Sequence, residues 1–526
     1  MTTRSTAGAA PATPLPGLAA LGFVGLVVGG AFAGLIAEGA RDPQGAAAAL
    51  DGYMLRVAGF TLFQAAASTV LSVVPAIAVA RALSRHPRFF GRSLILKLFA
   101  VPLALPAIVA AMGILSLFGR AGWFAAAFSA MTGGTWPGIY GLSGILLAHV
   151  FFNLPLAARL FAEALETVPA DQWRLSSQLG MRAGIVFRLI EWPVLRAALP
   201  GVAGLVFMLC VTSFTIVLTL GGGPAASTLE VAIYQALRFD FDPARAVVLT
   251  LAQVALTLIV VAFLVRIGAN LSGDANLAVT NRRYMAASGS ERVFDGFCIA
   301  AALLLVAGPM AAIVAAGLEA DLWRLVREAS FLRATATSLV LATASATLAA
   351  ALAWSLTAAG RRLAGSASFV LVVPPIVIGA GWFVLLRTVA DVFAIAPAMV
   401  VAVNAIMAMP FALRAIRPAH DAAAARHDRL CAALGIGGWN RLRLIDWPAL
   451  RRPLATALTF AAALSLGDLG VIALFGSDTV KTLPYLLYER MGSYRTADAA
   501  GLALLLGAFC LLLILAADRL GRTEDT

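Results

Sequence analysis

Residues 180–193 read GMRAGIVFRLIEWP and residues 435–448 read GIGGWNRLRLIDWP, two copies of one pattern, G-x9-I-x-W-P. The copies are anchored at Gly180, Ile190, Trp192 and Pro193 and at Gly435, Ile445, Trp447 and Pro448, a displacement of 255 from Gly180 to Gly435. The same displacement superposes Pro155 on Pro410, Arg159 on Arg414, Leu175 on Leu430, Arg196 on Arg451 and Gly221 on Gly476. Downstream it becomes 254, pairing Tyr234 with Tyr488, and upstream 270, pairing Ser68 with Ser338. One displacement held through many positions marks an internal duplication, with length differences confined to loops.

The duplicated unit has a membrane composition. Hydrophobic residues make up 61% of the 526 and charged residues 13%, and mean hydropathy is +0.90; an ordinary soluble domain carries roughly 25% charged residues. Apolar runs of spanning length lie near 17–38, 60–81, 94–118, 138–161, 198–221, 245–266, 294–317, 335–358, 367–387, 393–414, 453–476 and 500–517. Lipid offers backbone amides no partner, so each run of about 20 residues closes its own hydrogen bonds as a helix. The expected fold is an all-α membrane protein with twelve transmembrane helices in two tandem six-helix repeats. Residues 1–266 and 294–526 form the halves, and the polar stretch 267–293 a cytosolic linker. By length and flanks, the run at Gly17–Glu38 reads as a retained helix rather than a cleaved leader. Pro106, Pro155, Pro374, Pro375 and Pro410 fall inside runs and predict kinks there.

Basic residues gather in alternate loops, among them Arg85, Arg88 and Arg92 and the arginines from Arg414 to Arg452, while Glu319, Asp321, Asp240 and Asp242 mark the other side. Short cytosolic loops collect Lys and Arg, so both termini are expected inside. Topology therefore accounts for the net charge of +12 better than nucleic-acid binding does. Six spans per half make the repeats parallel about an axis along the membrane normal, with a central pathway between them. The four cysteines are scattered, with no CxxC pair and no histidine at ligand spacing, so neither a disulfide framework nor a metal site is expected.

Each G-x9-I-x-W-P stretch follows a helical segment, 170–179 or 422–434, and its glycine permits the positive φ of a sharp turn into a second helix. A helix-turn-helix in the cytosol results. Here the chain resembles the inner-membrane permeases of binding-protein-dependent ABC importers, whose loop has the pattern E-A-A-x3-G-x9-I-x-L-P. The glycine, isoleucine and proline are kept twice; Arg174-Leu175-Ser176 and Arg429-Leu430-Cys431 replace the Glu-Ala-Ala, and tryptophan replaces the leucine. The resemblance covers residues 55–517 and implies that the two loops dock two copies of a cytosolic ATPase. It also implies a periplasmic binding protein as partner and a multi-pass location in a bacterial inner membrane. No P-loop is present, since neither Lys97 nor Lys481 follows a glycine. ATP and Mg²⁺ are thus expected on the partner ATPase and no cofactor on this chain, a permease rather than an enzyme.

Asp468, in the stretch SLGDLG at 465–470, is a candidate for the translocation path. An ionisable group in a span costs roughly 2.5 to 3.5 kcal/mol at the helix centre. The alternative is a cap at a glycine-broken turn. His149 and Asn404 occupy equivalent repeat positions, and either face the path or hydrogen bond between helices. Residues 465–476, with KTLPY at 481–485 and GSYR at 492–495, are similar to the C-terminal half of the fused permeases of thiamine importers, which implies thiamine and its phosphates as cargo. Ferric-iron permeases share the fused architecture and remain the alternative. An ion-coupled secondary transporter also predicts parallel halves but gives no reason for two G-x9-I-x-W-P loops, and no pore loop suggests a channel.

Overall fold

The computed structural model describes residues 15–521 apart from 88, 267–288, 361–369, 371–372 and 494. Among the described residues there is no β-strand. Helices lie in every expected run, labelled here α1 (Leu15–Arg41), α2 (Gly52–Arg85), α3 (Ala107–Phe118), α4 (Leu142–Glu166), α5 (Trp192–Val211) and α6 (Pro243–Arg266). The second set comprises α7 (Gly289–Glu319), α8 (Ala329–Ala358), α9 (Pro375–Leu386), α10 (Val392–Leu434), α11 (Trp447–Gly467) and α12 (Thr496–Gly521). Among the described residues, ten helical stretches are long and apolar enough to cross a membrane. The exceptions fall at α9, which has 12 residues, and α11, whose first turns carry Arg451 and Arg452. α7 begins at Gly289, inside the expected linker; the rest of that linker, 267–288, lies outside the described residues.

Several runs expected as single spans are broken, and the breaks recur in both repeats. The third run divides into Arg92–Leu98, Val101–Ala104 and α3, with Pro102 and Pro106 at the interruptions. A proline lacks the N–H that a helix interior needs but suits a helix start. Pro106 and Pro374 accordingly stand as N-caps of α3 and α9, with φ of −54° and −59°. α5 stops at Val211 and resumes as Phe214–Leu220; α11 stops at Gly467 and resumes as Gly470–Phe475. A short helix follows each break, Leu229–Arg238 and Leu483–Gly492, each with threonine at its N-cap.

The halves are interlocked through their first helices. α1 packs on α8 and α9 of the second half, and α7 packs on α2 and α3 of the first. One apolar core joins Ala20, Val24, Val27 and Ala31 to Ile376, Val377 and Ala380, while another joins Ala302 and Val306 to the core of α2, α3 and α4. Glycine makes both crossings close. A Cβ at Gly381 on α9 would collide with the Ala31 carbonyl, and one at Gly113 on α3 would lie 2.6 Å from the Pro309 carbonyl oxygen. Polar contacts pin the crossings: Trp382 Nε1 donates to the Val27 carbonyl at 2.7 Å, Arg387 pairs with Glu38, and Arg85 meets Asp295 at 3.2 Å.

Candidate functional site

The two signature loops share one geometry. The helix Ala170–Gln178 ends at Leu179 and turns through Gly180, at φ +58°; α10 ends at Gly435, at φ +64°. The Met181 N–H donates back to the Ser176 carbonyl at 3.1 Å, and the Ile436 N–H to that of Cys431 at 2.9 Å, so each turn is closed as a Schellman-type cap. Each chain then passes through a short α-turn into a π-helical turn, Phe187–Glu191 and Leu442–Asp446, and directly into α5 or α11 at the Trp-Pro pair. The loops differ upstream. Pro169 separates α4 from the first loop's leading helix, whereas the second loop has Ala424 at that place and α10 runs through unbroken.

Ile190 is buried with Val168, Trp173 and Val186, so in the first copy it holds the loop together from within. Trp192 is half-buried beside Phe187, whereas Trp447 is exposed, as are Pro193 and Pro448. The exposed apolar faces of the two loops match: Leu175, Leu179 and Leu189 in the first, Leu430, Leu434 and Leu444 in the second. The sequence reading paired Leu175 with Leu430 but missed the other two pairs, which the same 255-residue displacement aligns. It also missed the acid before each Trp-Pro. Glu191 is buried and accepts from Arg81 Nε at 2.6 Å, tying the first loop to α2. Asp446 lies 3.4 Å from Arg441, which also reaches Asp428 at 2.7 Å. Desolvation works against the Arg441 cation, but Asp428 and Asp446 outweigh it and hold the guanidinium above its ordinary pKa.

Between the halves lies a cavity of about 290 Å³ lined by Leu103, His149, Phe152, Ser213, Phe214 and Glu230 of the first half and by Pro375, Asp468 and Gly470 of the second. Two adjoining cavities of about 230 and 250 Å³ also reach Asp468. Asp468 follows α11, and its carboxylate accepts from the Gly470 N–H at 3.1 Å and the Val471 N–H at 3.4 Å. Asp468 therefore caps the next short helix and also faces the cavity. Ser213 is its repeat counterpart.

His149 lines the cavity but is spent on hydrogen bonds. Ser213 Oγ donates to the Cys210 carbonyl at 2.9 Å, so it accepts from His149 Nε2–H at 2.8 Å. Nδ1 then accepts from Ser68 Oγ, also at 2.8 Å. Asn404, the counterpart of His149, donates from Nδ2 to Ser465 Oγ at 3.0 Å and lines the neighbouring cavity. The cavity thus brings His149 and Asp468 together, with Asn404 one compartment away.

Residues 342–523 match the family described as the binding-protein-dependent transport system inner membrane component. Over nearly the whole chain, the sequence is 56% identical to the thiamine transport system permease protein of Brucella abortus, covering 98% of this chain and 97% of that protein. It is 43% identical to the corresponding protein of Escherichia coli, covering 98% of each, and 37% identical to that of Haemophilus influenzae, covering 94% of each.

Proposed function

The chain belongs to the inner-membrane components of binding-protein-dependent transport systems, in the branch of the thiamine transport permeases, and on that premise we propose that it carries thiamine and its phosphates into the cytosol. It is a multi-pass inner-membrane transport component that works with a substrate-binding protein and an ATPase, not an enzyme in its own right. We further infer twelve spans with both termini cytosolic, residues 1–266 and 294–526 as the halves, and two ATPase copies, one at each signature loop. ATP and Mg²⁺ belong to those ATPases. The matched exposed leucines of the two loops support equivalent docking at both, because exposed apolar side chains in a polar loop are what a partner's cleft buries.

One observation carries the cargo reading beyond kinship: a carboxylate, Asp468, faces the cavity between the halves at a break in α11. A fixed negative charge in a low-dielectric path favours a cationic thiazolium. The test is uptake of labelled thiamine by cells expressing the whole transporter, competed with thiamine phosphates and with ferric ion. Competition by the phosphates is expected; transporter-dependent uptake of iron but not thiamine would overturn the assignment.

A further inference from the structure

The central cavity holds a second carboxylate that the sequence reading passed over. Glu230 stands in the first turn of the short helix Leu229–Arg238 and lines the same cavity as Asp468. Its residue is 1% exposed. The Phe214 backbone hydrogen bonds to the carboxyl group, while Oε1 is buried without any hydrogen-bond partner. Under the 254-residue displacement its counterpart is Pro484, so this carboxylate belongs to the first half alone.

A buried carboxylate oxygen without a donor costs free energy that an apolar side chain at the same place would not. Nothing in the cavity wall offsets it. Among the described residues lining the cavity there is no lysine or arginine, and both ring nitrogens of His149 are already bonded to serines. Glu230 and Asp468 therefore give the cavity one carboxyl group from each half and no fixed cation. Around them stand Leu103, Phe152, Leu209 and Phe214, apolar and aromatic. Such a wall suits a ligand with a positive charge on a flat ring, since ring faces and carboxylates both favour cations. An apolar, uncharged ligand would leave Glu230 Oε1 without a partner.

We propose that Glu230 is a specificity-determining residue of the permease itself, acting across the cavity from Asp468 to select a planar organic cation during passage. The proposal rests on the thiamine reading and adds to it a charge filter downstream of the binding protein. The filter is tested on the purified full-length permease with its ATPase but without the binding protein, by equilibrium binding of thiamine and of thiochrome, an uncharged tricyclic thiamine derivative. Glu230→Gln should weaken thiamine binding about tenfold, equivalent to roughly 1.4 kcal/mol, and thiochrome binding less than about twofold. Glu230→Asp, which keeps the charge, should hold thiamine affinity within about threefold. Should Glu230→Gln fail to insert, Glu230→Met removes the charge at similar length and serves in its place.

Unchanged thiamine affinity in the uncharged variants, a parallel loss of thiochrome, or no thiamine binding by the wild-type permease would each overturn the filter. Uptake by the whole transporter separates this outcome from the parent reading. Thiamine uptake with no binding difference at Glu230 sinks the filter alone, whereas no thiamine uptake at all sinks the cargo assignment.

Discussion

Replacing Asp468 separates the two roles that the structure gives one side chain. Its carboxylate accepts two backbone N–H groups at 3.1 and 3.4 Å and also faces the cavity. Asparagine keeps an acceptor oxygen of the same reach, so Asp468→Asn exchanges charge-assisted bonds for neutral ones, a stability cost of about 1 kcal/mol. Asp468→Ala removes the cap altogether and costs about 1 to 2 kcal/mol. Serine already stands at the equivalent point in the first half, as Ser213, so Asp468→Ser should also be tolerated by the fold. Transport should respond differently. A unit-charge pair about 4 Å apart is worth roughly 4 kcal/mol at an effective dielectric of 20, before desolvation takes back much of it. A net loss of about 1.4 to 2.8 kcal/mol corresponds to uptake about ten- to a hundredfold slower. The assay is initial uptake of labelled thiamine at saturating binding protein, normalised to permease in the membrane. All three variants should be present near wild-type level and share the transport defect. Wild-type uptake by Asp468→Asn would refute the charge argument, and a defect confined to Asp468→Ala would leave only the cap.

The remaining tests probe the scaffold and the loops. Gly381→Ala places a methyl group against the Ala31 carbonyl where α1 crosses α9, so it should destabilise the chain by about 1 to 3 kcal/mol, read as a lower midpoint in a thermal scan in detergent. Gly435→Asn and Gly435→Val meet no neighbouring atoms but must adopt φ +64°, so valine should lose far more uptake than asparagine while both insert; the same ranking is expected at Gly180. Leu189→Asp and Leu444→Asp should each reduce co-purification of the ATPase, and together abolish it, with the permease still inserted; undiminished co-purification in the double variant would reject the docking face.

The repeat and the signature loops were legible because they rest on identity and spacing, which a single displacement exposes, whereas Asp468 stood out as an ionisable residue within an apolar run. The helix breaks were half legible. Prolines at 106 and 374 announced interruptions, but the apolar run from 198 to 221 continues unchanged through the break at Thr212 and Ser213, where backbone geometry and not hydropathy ends the helix. The exchange of first helices left no trace in periodicity, because α1 and α7 are apolar on most sides and lipid and protein neighbours demand the same residues. Its residual signal is a pair of glycines, Gly113 and Gly381, at the same place in α3 and α9, with meaning only once the partner helix is known. Glu230 escaped for another reason. It lies between the apolar runs 198–221 and 245–266, where a charged residue reads as part of a polar loop.

α5 begins at Trp192, directly after the π-helical turn of the first loop, and runs 20 residues to Val211, two residues before Ser213 in the cavity wall. At 1.5 Å per residue it is a rod of about 30 Å. α11 repeats the arrangement from Trp447 to Gly467, immediately before Asp468. Each signature loop is thus the root of one helix whose far end leads to a polar group lining the cavity, serine on one side and a carboxylate on the other. A π-turn stands at the loop end of each rod, and Pro200 and Pro453 lie within the helices beyond it. α5 packs on α2, α4 and α6, and α11 on α8, α10 and α12, so each rod lies against its own repeat and the link to the other half runs through α1 and α7. Arg81 ties the first root to α2, and α2 is held to α7 through Arg85 and Asp295, so two ion pairs connect the first loop to a helix of the second half.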